Sequence, residues 1–200
     1  MIKAIIFDWG GVLIIGKYTA SILDVIDKRS TIDIDEVYTA FDSFVGLMDL
    51  NEIDFEEFVE KANRLLNSNF TVEEMTHIFH EAININGKVV DTIKKLKGKY
   101  RILMVSNNNK TAKEIFKNHQ NDIFSLFEKA YFSCDFGSRK PEKEFFMFAL
   151  KDSQLAPDEC VFIDDKEKNI EAARALGFNV IHFKDNEHLI EDLKKLNIVF

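Results

Sequence analysis

Three aspartates stand directly after runs of apolar residues: Asp8 follows Ile5-Ile6-Phe7, and Asp164-Asp165 follow Val161-Phe162-Ile163. Short apolar runs bounded by polar residues read as buried strands, so the next residue stands at a sheet edge. Carboxylates gathered at one edge repel each other, and a hard divalent cation relieves that repulsion. Magnesium suits them, since it takes oxygen ligands, keeps several waters and commonly uses one or two carboxylates plus a substrate phosphate. The backbone carbonyl of Gly10, in the turn after Asp8, offers one more oxygen.

Ser106, followed by Asn107 and Asn108, comes after the apolar run Ile102-Leu103-Met104-Val105, and Lys140 lies in the polar loop from Asp135 to Pro141. A hydroxyl, amides near a helix N-terminus and a positive charge are what phosphoryl oxygens require. With a cation on one side and Lys140 on the other, Asp8 can approach phosphorus as a nucleophile despite its own charge. Simpler roles stay open for each residue alone: Asp8 as a turn acid, and Ser106 or Asp164-Asp165 as helix caps.

Such convergence needs a sheet whose strands all end on one side. Strands are expected at Lys3–Phe7, Arg101–Val105, Ala130–Phe132, Cys160–Ile163 and Asn179–His182. Helices are expected between them at Val89–Lys97, Thr111–His119, Glu142–Lys151 and Lys168–Leu176, with a last one at Glu187–Leu196. This alternation predicts an α/β fold: a Rossmann-like parallel five-stranded sheet with helices on both faces. Gly177 falls where a helix end needs a left-handed residue. Residues 17–83 break the alternation with four helices, Thr19–Lys28, Ile34–Val45, Asp54–Asn67 and Thr71–Glu81. The last two open with capping-box spacing, Asp54-x-x-Glu57 and Thr71-x-x-Glu74. The expected organisation is a catalytic core of 1–16 and 84–200 with an inserted all-helical cap at 17–83, and Gly16 and Gly87 at the junctions permit a hinge.

The totals narrow the partners. With 26 Lys and Arg against 34 Asp and Glu, the net charge of −8 disfavours a nucleic-acid backbone. Apolar runs stay far below the roughly 20 residues of a membrane helix, and no signal-like segment opens the chain, so a cytoplasmic location is expected. Cys134 and Cys160 show no metal or redox spacing and read as buried free thiols. His77 and His80 have no neighbouring cysteine or third histidine in the sequence to complete a zinc set. Phe41, Phe44, Phe55 and Phe58, among 19 phenylalanines, fall at helical spacing and read as core. Trp9 is expected to point away from the acids, Arg139 and Asp135 to be surface-loop charges, and Lys17 and Tyr18 to reach toward a leaving group. Oligomeric state leaves no signal.

Four motifs resemble those of the haloacid dehalogenase-like (HAD) hydrolase superfamily, in the family's order: Ile6-Phe7-Asp8-Trp9-Gly10-Gly11-Val12-Leu13, Val105-Ser106-Asn107, Arg139-Lys140-Pro141-Glu142, and Val161-Phe162-Ile163-Asp164-Asp165 with Asn169-Ile170. The resemblance implies a Rossmann-like core with a helical cap of the first subfamily type. It implies Asp8 as nucleophile and metal ligand, Ser106 and Asn107 as phosphate-binding residues, Lys140 as partner of phosphate and Asp8, and Asp164 and Asp165 as holders of magnesium. The substrate implied is a small phosphorylated metabolite, hydrolysed through an aspartyl-phosphate. One departure stands out: most phosphatases of the family carry Asp two residues after the nucleophile for proton transfer, whereas this chain has Gly10. The same D-x-G pattern occurs in a subset similar to sugar-1-phosphate phosphatases. The alternatives are a weakened or non-catalytic phosphate-binding protein and a 2-haloacid dehalogenase, the latter disfavoured by the double acid Asp164-Asp165.

Overall fold

The computed structural model describes residues 1–28 and 34–200, so the part of the cap expectation at 29–33 lies outside the described residues. Strand β1 (Ala4–Phe7) pairs in parallel with β2 (Arg101–Ser106) on one side and β4 (Cys160–Asp164) on the other. Strands β3 (Lys129–Phe132) and β5 (Asn179–His182) complete a parallel sheet of order β3-β2-β1-β4-β5. The chain moves outward from β1 through β2 to β3, then returns to β4 on the opposite side. That reversal opens a crevice beyond the strand C-termini, the usual ligand position in open α/β sheets.

Side chains alternate across the sheet. Ile5 and Phe7 point to the face packed by α5 (Gly87–Leu96), α6 (Lys110–His119) and α10 (Asn186–Lys195). Ala4 and Ile6 point to the opposite face, packed by α8 (Lys143–Ser153) and α9 (Glu167–Ala175). All residues of β1 and β4 are buried, which is why these strands read as unbroken apolar runs.

Between β1 and α5 come α1 (Tyr18–Asp27), α2 (Ile34–Asp49), α3 (Phe55–Leu66) and α4 (Val72–Glu81). They share a core of their own, in which the fully buried rings of Phe41, Phe58 and Phe79 meet edge to face. Phe44 and Phe55 pack at its margin. Asp54 caps α3 by accepting from the Glu57 amide at 2.8 Å, and Thr71 and Glu74 cap α4 reciprocally. The two chain segments joining this block to the sheet pair with each other: the Ile15 amide donates to the Asn84 carbonyl and the Asn86 amide to the Leu13 carbonyl, both at 2.8 Å. Ile115 of α6 inserts into the helical block's core from below.

Most expected boundaries fall within two residues of the observed ones. Gly177 has φ +95°, as its place after α9 requires. Two elements differ. A short helix, α7 (Asn121–Phe124), follows α6 directly. Helix α2 runs one turn beyond the expected Val45, through Gly46 to Asp49. A mid-helix glycine costs about 1 kcal/mol relative to alanine. Here it serves packing, because a β-carbon on Gly46 would stand 3.0 Å from Arg139 Nη1.

Candidate active site

The register of the central strands assembles the acids. Phe7 lies beside Ile163, and the Asp8 amide donates to the Ile163 carbonyl at 2.9 Å, so Asp8 and Asp164 leave adjacent strands side by side. Lys140 Nζ sits between them, 2.7 Å from Asp8 Oδ1 and 2.7 Å from Asp164 Oδ2. The three side chains are almost wholly buried. Asp8 Oδ1 also accepts the Trp9 amide at 2.6 Å, leaving Oδ2 free of hydrogen bonds among the described residues.

Burial pushes the Asp8 carboxyl up to about 7 against the opposing pull of Lys140, and the nearby Asp164 charge adds to the rise. Burial also works against Asp164 ionisation, but Lys140 outweighs it, aided by hydrogen bonds from the Lys166 amide and Asn169, and holds the group below the usual carboxylate range. Burial works against the charge on Lys140, but its two carboxylate partners outweigh it and raise the ammonium's pKa. Both Asp164 oxygens are occupied: Oδ1 accepts from the Lys166 amide at 2.8 Å, and Asn169 Nδ2 lies 3.0 Å from each oxygen.

Asp165 differs. Its Oδ1 is buried without a hydrogen-bond partner, and burial together with the Asp164 charge raises its pKa. Ligand oxygens of Asp8, Asp164 and Asp165 lie within 4.8 Å of one another, the one such convergence among the described residues. An orphaned buried oxygen and three acids around one buried lysine are what a divalent cation would satisfy. Gly11 shapes the same spot: with φ +77° it tolerates no ordinary side chain, and a β-carbon there would fall 2.3 Å from Asp165 Oδ2.

The Asn107 side chain is engaged within the protein. Its Nδ2 donates to the Lys140 carbonyl at 2.9 Å and its Oδ1 accepts the Lys140 amide at 2.8 Å. The side chain thus anchors the loop that carries Lys140. Ser106, the last residue of β2, is 1% exposed, and its hydroxyl makes only a long 3.5 Å contact to the Asn107 carbonyl. Asn107 and Asn108, rather than Ser106, line the crevice.

Above the acids lies a cavity of about 650 Å³. Its floor includes Asp8, Gly10, Lys140 and Asp165; one face of α2, with Tyr38, Asp42, Val45, Gly46 and Asp49, forms the opposite wall. Arg139, read as a surface charge, lines this cavity beside Gly46, whereas Asp135 is the expected exposed residue, paired with Lys113. Trp9 is 2% exposed and packs edge-on against Tyr18 and Phe116. The Tyr18 hydroxyl donates to the Phe79 carbonyl at 2.8 Å, which occupies the group expected near a leaving group; Lys17 lines the cavity. Asp49 and Lys166 carry no motif in the sequence; the signal for Asp49 is a helical stripe continuing past Val45.

Elsewhere, Cys134 and Cys160 are free and buried, with thiols pushed by burial up to about 11 and about 12. The pair His77 and His80 gains a neighbour the sequence hides, His119 of α6, with ring centres of His80 and His119 4.2 Å apart.

A family model described as haloacid dehalogenase-like hydrolase matches residues 2–177. The chain belongs to this family. Among curated proteins, this HAD-like hydrolase is 28% identical over 186 residues to the D-ribitol-5-phosphate phosphatase of Bacteroides thetaiotaomicron, covering 89% of this chain and 90% of that protein. It spans only 24–27% of three longer relatives. A predicted HAD-like hydrolase from Porphyromonas gingivalis superposes with TM-score 0.81 at 25% identity, covering 100% of both chains. A HAD family enzyme of Bacteroides thetaiotaomicron, solved as an alanine variant with magnesium and inorganic phosphate, superposes with TM-score 0.78 at 25% identity, covering 94% of this chain and 99% of that chain. No described helix is long and apolar enough to cross a membrane.

Proposed function

We propose that this HAD-like hydrolase is a magnesium-dependent phosphatase that cleaves a small phosphomonoester through an aspartyl-phosphate at Asp8. The observation that carries the reading is the buried pairing of Asp8 with Lys140 beside an acid trio with an unsatisfied oxygen, at the floor of a ligand-sized cavity. In this reading residues 17–83 act as a cap over a core of 1–16 and 84–200. Asp165, with its free oxygen, Asp8, Asp164 and the Gly10 carbonyl would hold the magnesium ion. When bound, the ion neutralises charge on the acids and on a phosphate.

This chain's residues then divide the work. Lys140 neutralises phosphate and pulls Asp8 toward its ionised form against burial, leaving Oδ2 as the attacking oxygen. Asn107 fixes Lys140 through its backbone, and the Asn107 amide and Ser106 hydroxyl donate to phosphate oxygens ahead of α6. Asn169 and the Lys166 amide hold Asp164 in place. The cap excludes water from the crevice while the acyl phosphate exists. Two buried free thiols fit a reducing cytoplasm.

The relative that acts on D-ribitol 5-phosphate points to a polyol or sugar phosphate as the substrate class. The polar face of α2 fits hydroxyl-bearing ligands, with Asp42 already accepting from the Thr19 hydroxyl at 2.7 Å. Halide displacement fits less well, since it has no use for three clustered carboxylates. The test is phosphate release from a panel of polyol, sugar and aryl phosphates. Release should require magnesium and fall at least ~10³-fold in Asp8→Asn, in line with loss of a nucleophile. Full activity in that variant would remove Asp8 from the chemistry.

A further inference from the structure

We propose that Asp49, on the cap helix α2, is the general acid and base of this site, performing the proton transfers for which position 10 has no side chain. The proposal rests on the phosphatase reading above and names the group that reading lacks.

Position comes first. Asp49 is the last residue of α2, and two core residues hold it over the catalytic edge of the sheet. The Ser133 hydroxyl, just after β3, donates to the Asp49 carbonyl at 2.7 Å. Asn109, which also caps α6 through its Oδ1, brings Nδ2 to 3.5 Å from Asp49 Oδ1. The carboxylate is therefore tethered to the loop that follows Ser106, and it lines the same cavity as Asp8. Lys166 lines the same cavity and acts electrostatically on both acids.

The other acids and phenols of the cavity are committed or unsuited. Asp42 is exposed and engaged by Thr19, Glu142 is exposed and accepts from the Ser138 hydroxyl at 2.8 Å, and the Tyr18 hydroxyl is spent on Phe79. Tyr38 is pushed further from neutrality by burial and Asp42. Asp165 belongs to the metal trio. Asp49 remains. Its surroundings suit proton transfer: burial pushes its carboxyl up to about 7, opposed by Asn109, Arg139 and Lys166 and reinforced by Asp42, while Tyr18 faces it from α1. A group poised near neutrality can give and take a proton in one cycle.

The balance closes. As Asp8 Oδ2 bonds to phosphorus and the ester P–O bond breaks, protonated Asp49 passes its proton to the departing oxygen, and the alcohol leaves neutral. The Asp49 carboxylate then takes a proton from the water whose oxygen attacks phosphorus. The bond between Asp8 and phosphorus breaks, phosphate leaves, and both acids return to their starting forms.

The test is Asp49→Asn in the full-length protein with magnesium, compared on ribitol 5-phosphate and 4-nitrophenyl phosphate. On the alkyl ester kcat should drop ~10²–10⁴-fold, the usual size of general acid–base help, and the alkaline limb of the pH–rate profile, where protonated Asp49 is lost, should vanish, while the acidic limb set by Asp8 stays. On the aryl ester, which needs no protonation to leave, nitrophenolate should appear in a burst followed by slow turnover. Adding Gly10→Asp to Asp49→Asn should restore turnover, since a β-carbon at Gly10 meets nothing within 4 Å. That rescue separates lost chemistry from lost folding. An unchanged kcat and pH profile in Asp49→Asn, or a rise confined to KM, would overturn the proton-transfer role while leaving Asp8 as nucleophile. Turnover surviving Asp8→Asn would instead remove the parent reading and this one with it.

Discussion

Lys140 is a buried cation with two buried anions 2.7 Å away, an arrangement whose removal is expensive because it strands uncompensated charge. Lys140→Met should lower stability by about 3–5 kcal/mol in denaturant melts made without magnesium, the range seen when one partner of a buried ion pair is deleted. Saturating magnesium should recover part of that loss while leaving the enzyme inactive, since the ion can offset the acids but cannot replace the ammonium at phosphate. Gly11 gives a second test at this scale. Gly11→Ala places a methyl group 2.3 Å from Asp165 Oδ2 on a backbone with φ +77°. Asp165 must then move, so the magnesium concentration needed for half-maximal activity should rise, as read by metal titration of phosphate release. A strained φ and a displaced ligand act together there, and magnesium binding by calorimetry isolates the ligand effect.

At the scale of elements, α2 carries the specificity wall, and Gly46 sets its distance from the Arg139 loop. Gly46→Ala should stabilise the helix by up to about 1 kcal/mol in thermal melts. Its methyl also presses on the Arg139 guanidinium, so KM should rise while kcat holds. This helix shows where sequence reading stops. Asp8, Lys140 and Asp164-Asp165 were legible because each adjoins a buried strand or its following loop, and a parallel sheet forces such positions together. The five strands were legible for the same reason, as apolar runs with no solvent face. Asp49 was not, since an acid on a helix looks the same whether it faces water or a neighbouring domain. Asn107 could be placed at the site but not oriented, because its partner lies 33 residues onward in the Lys140 backbone. His119 could not be linked to His80 without knowing how α4 docks on α6.

At the scale of the whole molecule, the core has a hydrophobic cluster on each face of the sheet and the cap has its own, entered by Ile115 of α6, and the two chain connections between cap and core pair along one strip, Leu13–Ile15 against Asn84–Asn86. Two connections that run side by side bend together more readily than two set apart, which favours rocking of the helical block as a unit over local unfolding. Trp9 stands at that seam, between Tyr18 of the cap and Phe116 of the core, one residue from the nucleophile. It is also the single tryptophan in the chain. The protein therefore carries its own fluorophore at the place where closure and chemistry meet. Binding of orthovanadate with magnesium should shift the indole emission, with a stopped-flow phase that reports closure on a millisecond or faster scale. Trp9→Phe should abolish that optical signal, and a vanadate titration that leaves wild-type emission unchanged would mean the indole's surroundings stay fixed through the cycle.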